Sequence, residues 1–371
     1  MKVTDIRSAI VSIPLEQPTA FATTLVTSRE YVVVVVETDG DVTGTGFAVG
    51  GRYAGEGRLI ATALEECLKP LAVGEDVHAV ERLWRKMFEA TILVGRRGAV
   101  LRAISAIDIA LWDIIAKAAD QPLHRLLGGF RDEVPAYASG GYYREGKDLG
   151  GLAAELSRYV SMGFTSMKIK VGRLDTKSDV ERVRVARETI GPDVRLALDA
   201  NNVWPDAASA IRAIRAFEPY DIWWIEEPVM PDNVAAHAEI AAAIDVPVAT
   251  GEIEATRWGF RALLEQRAAA ILQADATVVG GVTEWMRIAH MAAGFDIPIA
   301  PHWLANVHVP LVAAVPNGLV VEYFVLEEDV LNFERIVAER LRPENGWIRA
   351  PQRPGHGIVL DDDAVARFRV P

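Results

Sequence analysis

Lys168 and Lys170 sit two residues apart in SMKIKVG, inside an otherwise apolar run. In a strand, residues at i and i+2 share a face, so both ammonium groups would point one way and Met167, Ile169 and Val171 the other. Asp199, Glu226, Glu252, Asp275, His302 and Glu322 follow, each where a short apolar run turns polar. Counted from Lys170, the intervals are 29, 27, 26, 23, 27 and 20 residues, about the length of one strand-plus-helix unit. Asp199, Glu226 and Glu252 come from consecutive units, and three crowded carboxylates stay ionised together only when a cation joins them. Oxygen donors suit a hard ion, so Mg²⁺ is expected and Mn²⁺ is the second choice. Zinc is disfavoured, because no histidine or cysteine falls within the three ligand segments. A lysine held close to another cation loses basicity and can act as a neutral base near pH 7. Asp275 and His302 are expected to form an acid/base pair, the carboxylate fixing the tautomer and raising the pKa of the ring. Glu227 is expected to face away from Glu226 and serve structure. With no serine at a nucleophile elbow and Cys67 as the single cysteine, a hydrolase triad has no support.

These groups need elements that bring them together. From about residue 133, the runs VPAYASG, SMKIKV, VRLALDAN, WWIEEP, PVATGE, ILQADATV, PIAPHW and LVVEYF alternate with amphipathic stretches such as DVERVRVARETIG and TEWMRIAHMAAGF. Regular alternation predicts parallel strands with crossover helices, and eight such strands closing on themselves give a TIM-type barrel. All C-terminal strand ends then meet at one mouth. Before the barrel, the first thirty residues predict strands broken by a polar loop. Tyr31 to Glu37, the turn Asp39-Gly40 and a following strand predict a hairpin. The glycines at 44, 46, 50 and 51 predict a loop over a neighbouring site, since no helix opens directly after them as a dinucleotide fingerprint requires. Helical periodicity follows, with Asp108 and Trp112 one turn apart as a packing pair. Residues 325 to 371 predict loops and short elements.

The chain has 371 residues, half of them hydrophobic, which allows a large core. No apolar run is long enough to span a bilayer, and MKVTDIRSAIVSIPL lacks the unbroken apolar stretch of a signal peptide. A net charge of −12 argues against a nucleic-acid binder. A lone cysteine excludes an internal disulfide. A soluble cytoplasmic enzyme acting on a small molecule is expected.

In order and spacing, the motifs KIK, LDAN, IEEP, TGE, DAT…GG and PHW resemble those of the enolase superfamily, and within it the mandelate racemase-like group. The resemblance implies an α/β fold: an N-terminal α+β capping domain over residues 1–130, a modified TIM barrel, (β/α)7β, over 131–325, and a C-terminal segment, 326–371, packing back on the cap. It implies Lys170 as general base and Lys168 as its electrostatic partner near the substrate carboxylate. Asp199, Glu226 and Glu252 match the metal ligands, His302 with Asp275 the second acid/base dyad, and Glu322 the acid that bonds the substrate carboxylate. PHWLANVHVPLVAAVPNGLVVEYF and LNFERI…PQRPGHGIVL look most like the acid-sugar dehydratases, the talarate/galactarate type among them. The implied reaction is Mg²⁺-dependent dehydration of an aldonate or aldarate to a 2-keto-3-deoxy acid, by α-proton abstraction and a metal-stabilised enediolate. The alternative is a racemase or epimerase of a 2-hydroxy acid using the same bases. Asn201, Arg52, Tyr53, Tyr142, Tyr143 and Trp303 are the candidate substrate contacts. The match weakens around residues 16 to 28 and 50 to 57, loops that in this family cover the mouth and choose the substrate. A homo-oligomer, dimeric or octameric, is implied by resemblance alone. The six other histidines are taken as structural, with His308, six residues past His302, nearest in sequence to the site.

Overall fold

The computed structural model describes residues 1–50 and 55–371. Valine-rich runs build an antiparallel sheet from β1 (Val3–Ala20), β2 (Leu25–Thr38) and β3 (Gly44–Val49). The expected hairpin is present, with Tyr31 opposite Val49 and Val36 opposite Gly44. The expected strands broken by a polar loop in the first thirty residues are β1 and the start of β2, separated at residues 21–24, and within β1 the register also slips between Pro14 and Thr19. Proline cannot donate to the ladder, and an irregularity absorbs the mismatch. Gly44 and Gly46 do not form a loop over a site. A Cβ on Gly46 would lie 1.8 Å from the Ala106 carbonyl oxygen, and one on Gly44 2.1 Å from that of Ala110. Their bare backbone lets the helix Ala99–Ala118 lie directly on β3.

The parallel strands are β4 (Glu133–Gly140), β5 (Ser166–Lys170), β6 (Arg195–Asp199), β7 (Ile222–Glu226), β8 (Val248–Thr250), β9 (Ile271–Leu272) and β10 (Val321–Tyr323), paired in the order β10-β4-β5-β6-β7-β8-β9. Bridges from Leu272 to Ile299 and from Ile299 to Gly318 close the ring, so its seventh strand is reduced to a bridge at Ile299. Helices follow the strands, from Leu149–Ser161 after β4 to Ala305–Ala314 before β10. The architecture is a modified TIM barrel, (β/α)7β, under a separate antiparallel cap. Two further strands return from the C-terminal part: β11 (Trp347–Arg349) pairs with β4, and β12 (Arg369–Val370) pairs with β1. A buried layer of Tyr137, Ala197, Trp224, Ala249, Ile271, Ala300 and Val320 plugs the barrel interior. Among the described residues, no helix is long and apolar enough to cross a membrane.

Cap and barrel are joined by buried polar contacts. Asp108 accepts from the Thr283 backbone N–H at 2.9 Å and its hydroxyl at 2.6 Å, and Trp112 Nε1 donates to the same hydroxyl at 2.8 Å. Burial pushes the Asp108 carboxyl up to about 7 despite those donors. The folded protein therefore holds a proton there that the unfolded chain releases near pH 4. Its contribution to stability is greatest below pH 4 and falls as the pH rises towards 7, by at most about 4 kcal/mol. Asp108→Asn should flatten this part of the pH–stability profile, measured by urea unfolding between pH 4 and 7.5. An unchanged slope would show that other groups set it.

Candidate active site

Strand register brings the candidate residues together. Lys170 lies beside Asp199 on neighbouring strands, and Asp199 beside Glu226 on the next pair. Glu252 follows β8 at the same level. One oxygen from each of Asp199, Glu226 and Glu252 lies within 4.8 Å of the others. Both lysines of β5 point into the barrel and are buried, while Met167 and Ile169 pack in the outer core. Lys168 Nζ ion-pairs with Glu226, lies 2.9 Å from Glu322 Oε1 and 3.8 Å from Asp199 Oδ2. Lys170 Nζ donates to Asp199.

Neighbouring groups fix the orientation of these carboxylates. Asn201 donates to Asp199 from its backbone at 2.9 Å and from its amide at 3.2 Å. Glu226 Oε2 accepts from Gln273 Nε2 at 2.6 Å and Trp224 Nε1 at 3.1 Å, which leaves Oε1 for the centre of the site. Glu227, at φ 45°, turns away as expected of it. Its carboxylate accepts from Thr250, Asn202 and, at 2.9 Å, the Gly251 N–H, holding the segment that leads to Glu252. Asp275 caps its own short helix, accepting from the Thr277 backbone at 2.8 Å and hydroxyl at 2.7 Å. Its other oxygen lies 3.0 Å from His302 Nδ1, so that nitrogen carries a proton and Nε2 faces Glu252 at 3.6 Å. The Trp303 N–H donates to Glu322 Oε2 at 2.8 Å.

Charge is unevenly balanced here. Burial works against the imidazolium of His302, but Glu252, Asp275 and Glu322 outweigh it and push the ring up to about 9. Glu322 is driven the other way, to about 2, because Lys168, His302 and Lys170 outweigh its burial. The expected loss of lysine basicity is not met by the protein's own charges. Burial does oppose the ammonium forms, but Glu226, Glu322 and Asp199 exceed it, and both lysines titrate above their ordinary range. A divalent ion among those carboxylates would weaken this attraction. Burial, with the crowding of Asp199, Glu252 and Glu322, pushes the Glu226 carboxyl well above its ordinary range despite Lys168, so the protein's own cations do not suffice to keep the triad ionised. A divalent cation would supply the missing positive charge, and the all-oxygen triad fits a hard one.

Residues 4–128 match the family described as Mandelate racemase / muconate lactonizing enzyme, N-terminal domain, and residues 151–364 that described as Enolase C-terminal domain-like. The chain belongs to the enolase superfamily. Within the mandelate racemase-like group, it is 37% identical over 347 residues to an arabinonate dehydratase of Saccharolobus solfataricus, covering 92% of this chain and 91% of that one. A racemase from Streptomyces coelicolor with bound magnesium superposes with a TM-score of 0.93 at 31% identity, over 99% of this chain and 100% of that one. An L-talarate dehydratase from a Polaromonas species, complexed with Mg and L-glucarate, gives 0.90 at 33%, over 100% and 98%.

In this superfamily member the mouth opens into a cavity of about 700 Å³ between barrel and cap. Lys170, Glu252, His302 and Glu322 line it, as do three of the expected substrate contacts, Asn201, Tyr142 and Trp303. Tyr143 is directed elsewhere. Its hydroxyl donates to Asp179 Oδ1 at 3.0 Å, and its ring lies 4.3 Å from the Arg182 guanidinium, because consecutive residues leaving a strand face opposite ways. Arg52 and Tyr53 lie outside the described residues. Of the four glycines, Gly50 reaches the cavity, while Gly51 is outside the described residues. His308 is buried behind the dyad, its Nε2 accepting from the Ala276 N–H at 2.9 Å and lying 3.5 Å from Asp275 Oδ1. Sequence reasoning missed Gln273 and Trp224. Each lies two residues before a recognised acid, so alternation puts Gln273 on the face of Asp275 and Trp224 on that of Glu226.

Proposed function

We propose that the protein dehydrates an acid sugar, an aldonate or aldarate, to a 2-keto-3-deoxy acid, with Mg²⁺ held by Asp199, Glu226 and Glu252. The observation that carries this reading is that Lys170 and His302, two proton-transfer groups from separate strands, line one cavity beside an all-carboxylate triad. The magnesium of the similar racemase and talarate dehydratase structures supports the choice of ion. Bound Mg²⁺ would supply Lewis acidity that polarises the substrate carboxylate and acidifies its α-carbon.

The chain's own residues do the rest. Lys168 receives the carboxylate, with Glu322 at 2.9 Å holding its ammonium in place, and that fixed charge faces the negative charge that grows as the α-proton leaves. Lys170 or His302 takes that proton, according to the configuration of the α-carbon. The C–H electron pair becomes a C=C bond, and the β-hydroxyl departs as water on receiving a proton from the His302 imidazolium. Asp275 holds that ring in the required tautomer and orientation. The enol product tautomerises to the 2-keto-3-deoxy acid.

Mono- and diacid sugars incubated with the protein and Mg²⁺ should yield a product that reacts with semicarbazide. The two opposed groups also suit a racemase or epimerase, in which the second returns the proton to the other face. In D₂O that reaction incorporates deuterium at the α-carbon without forming keto acid. Exchange with no semicarbazide-reactive product from any acid sugar would replace the dehydratase reading with this one.

A further inference from the structure

The cavity has two chemically different walls. The barrel wall carries Lys170, Asn201, Glu252, His302 and Glu322, which would hold and react the first carboxylate. The cap wall is mostly apolar or neutral, with Phe21, Thr23, Leu59, Ile60 and Ala99, and carries three charged side chains, Arg29, Glu56 and Arg102; Arg29 donates to the Val330 carbonyl oxygen at 3.0 Å and lies over the Trp303 ring, whereas Arg102 projects into the cavity. Arg102 stands in the first turn of the helix Ala99–Ala118. Its Nη1 donates to the Val49 carbonyl oxygen at 2.9 Å, at the end of β3. Among the described residues, no carboxylate reaches ion-pairing distance of this guanidinium; Asp275 and Glu56 act on it only through the longer-range field. Elsewhere on the rim, Asp232 is paired with Arg97 at 3.1 Å. Arg102 cannot escape its charge by losing a proton. A guanidinium offers five N–H donors in a planar fork shaped for a carboxylate, and one backbone bond leaves most of that fork unused.

We infer that Arg102 receives a second carboxylate at the far end of the substrate, so that the enzyme acts on a dicarboxylic aldarate in preference to an aldonate. This rests on the dehydratase reading for the reaction, though not for the binding. An aldarate presents one carboxylate to the barrel wall and the other to the cap wall. An aldonate of the same configuration presents a hydroxymethyl group instead and leaves a partly desolvated cation without an anion.

The test uses matched pairs, such as galactarate with galactonate and glucarate with gluconate, on the full-length protein. Two quantities are read: kcat/KM for keto-acid formation with Mg²⁺, and the shift in Tm caused by each acid with and without Mg²⁺. In the wild type the aldarate should exceed its partner in both. Arg102→Gln should lower the aldarate-to-aldonate ratio of kcat/KM by about 30-fold or more, as expected for a lost buried charge pair. Arg102→Lys should fall between, since an ammonium supplies the charge without the fork. It also gives the readout if the glutamine variant folds poorly. A wild type that favours the aldonate, or variants that lose both partners alike, would overturn the inference and leave the dehydratase reading standing. If no acid yields keto acid but aldarates still raise Tm through Arg102, the dehydratase reading fails and the second-carboxylate site stands.

Discussion

Lys170→Ala is expected to lower turnover on the true substrate by about 10²–10⁴-fold, the range that a positioned general base contributes. The Lys170 side chain is buried, lines the reaction cavity and sits 4.8 Å over the ring of Tyr142, so its reach is restricted to the mouth of the barrel. Removing it leaves the carboxylate triad intact and takes one competing cation off Asp199. Mg²⁺ binding should therefore survive, and calorimetry of the variant separates lost chemistry from lost metal. Deuterium exchange at the α-carbon then assigns the proton. If exchange disappears with turnover, Lys170 is the base for that substrate; if exchange persists without keto acid, His302 takes the proton. A variant that keeps full turnover would remove Lys170 from the mechanism.

The second large effect concerns the metal. Glu252→Gln should weaken Mg²⁺ binding by about 100-fold or more, because it replaces one of three charged donors at a buried site. This position is chosen over Asp199 and Glu226 for a structural reason. Those two hold the buried ammonium groups of Lys168 and Lys170, and losing either acid would strand a cation in the core. Glu252 has His302 at 3.6 Å as its neighbouring charge, so its loss leaves both lysine pairs in place. The variant should unfold near the wild-type temperature when both are stripped of divalent ions with EDTA, and differ from it once Mg²⁺ is added. Equal Mg²⁺ affinity in variant and wild type would exclude the triad as the metal site.

Much of this site could be read from the chain before any coordinates. Each of its charged members ends an apolar run, and one rule of barrel geometry sends all such ends to one mouth. Lys168 and Lys170 were legible through alternation alone, and strand register then set Lys170 beside Asp199. The neutral supports were harder to see. Alternation along one strand puts Trp224 on the face of Glu226, but Gln273 reaches the same oxygen from the end of another strand, and nothing in a glutamine announces that meeting. Arg102 was illegible for a related reason. It belongs to a cap helix whose periodicity predicts packing, and its exposure to the cavity depends on how that helix is seated on β3. The glycines at 44 and 46 are what allow that seating, although their sequence suggested a loop. The basicity of the lysines depends on which of the converging charges dominates: without a cation the carboxylates do, and both lysines are raised.

The pairing of β12 with β1 places Val370 against Ile10. The capping sheet is thus completed by a strand that comes after the whole barrel in the chain. Its first three strands pair with one another directly, but the fourth reaches β1 only by way of every βα unit between them, so the edge of the roof is tethered to the wall of the vessel.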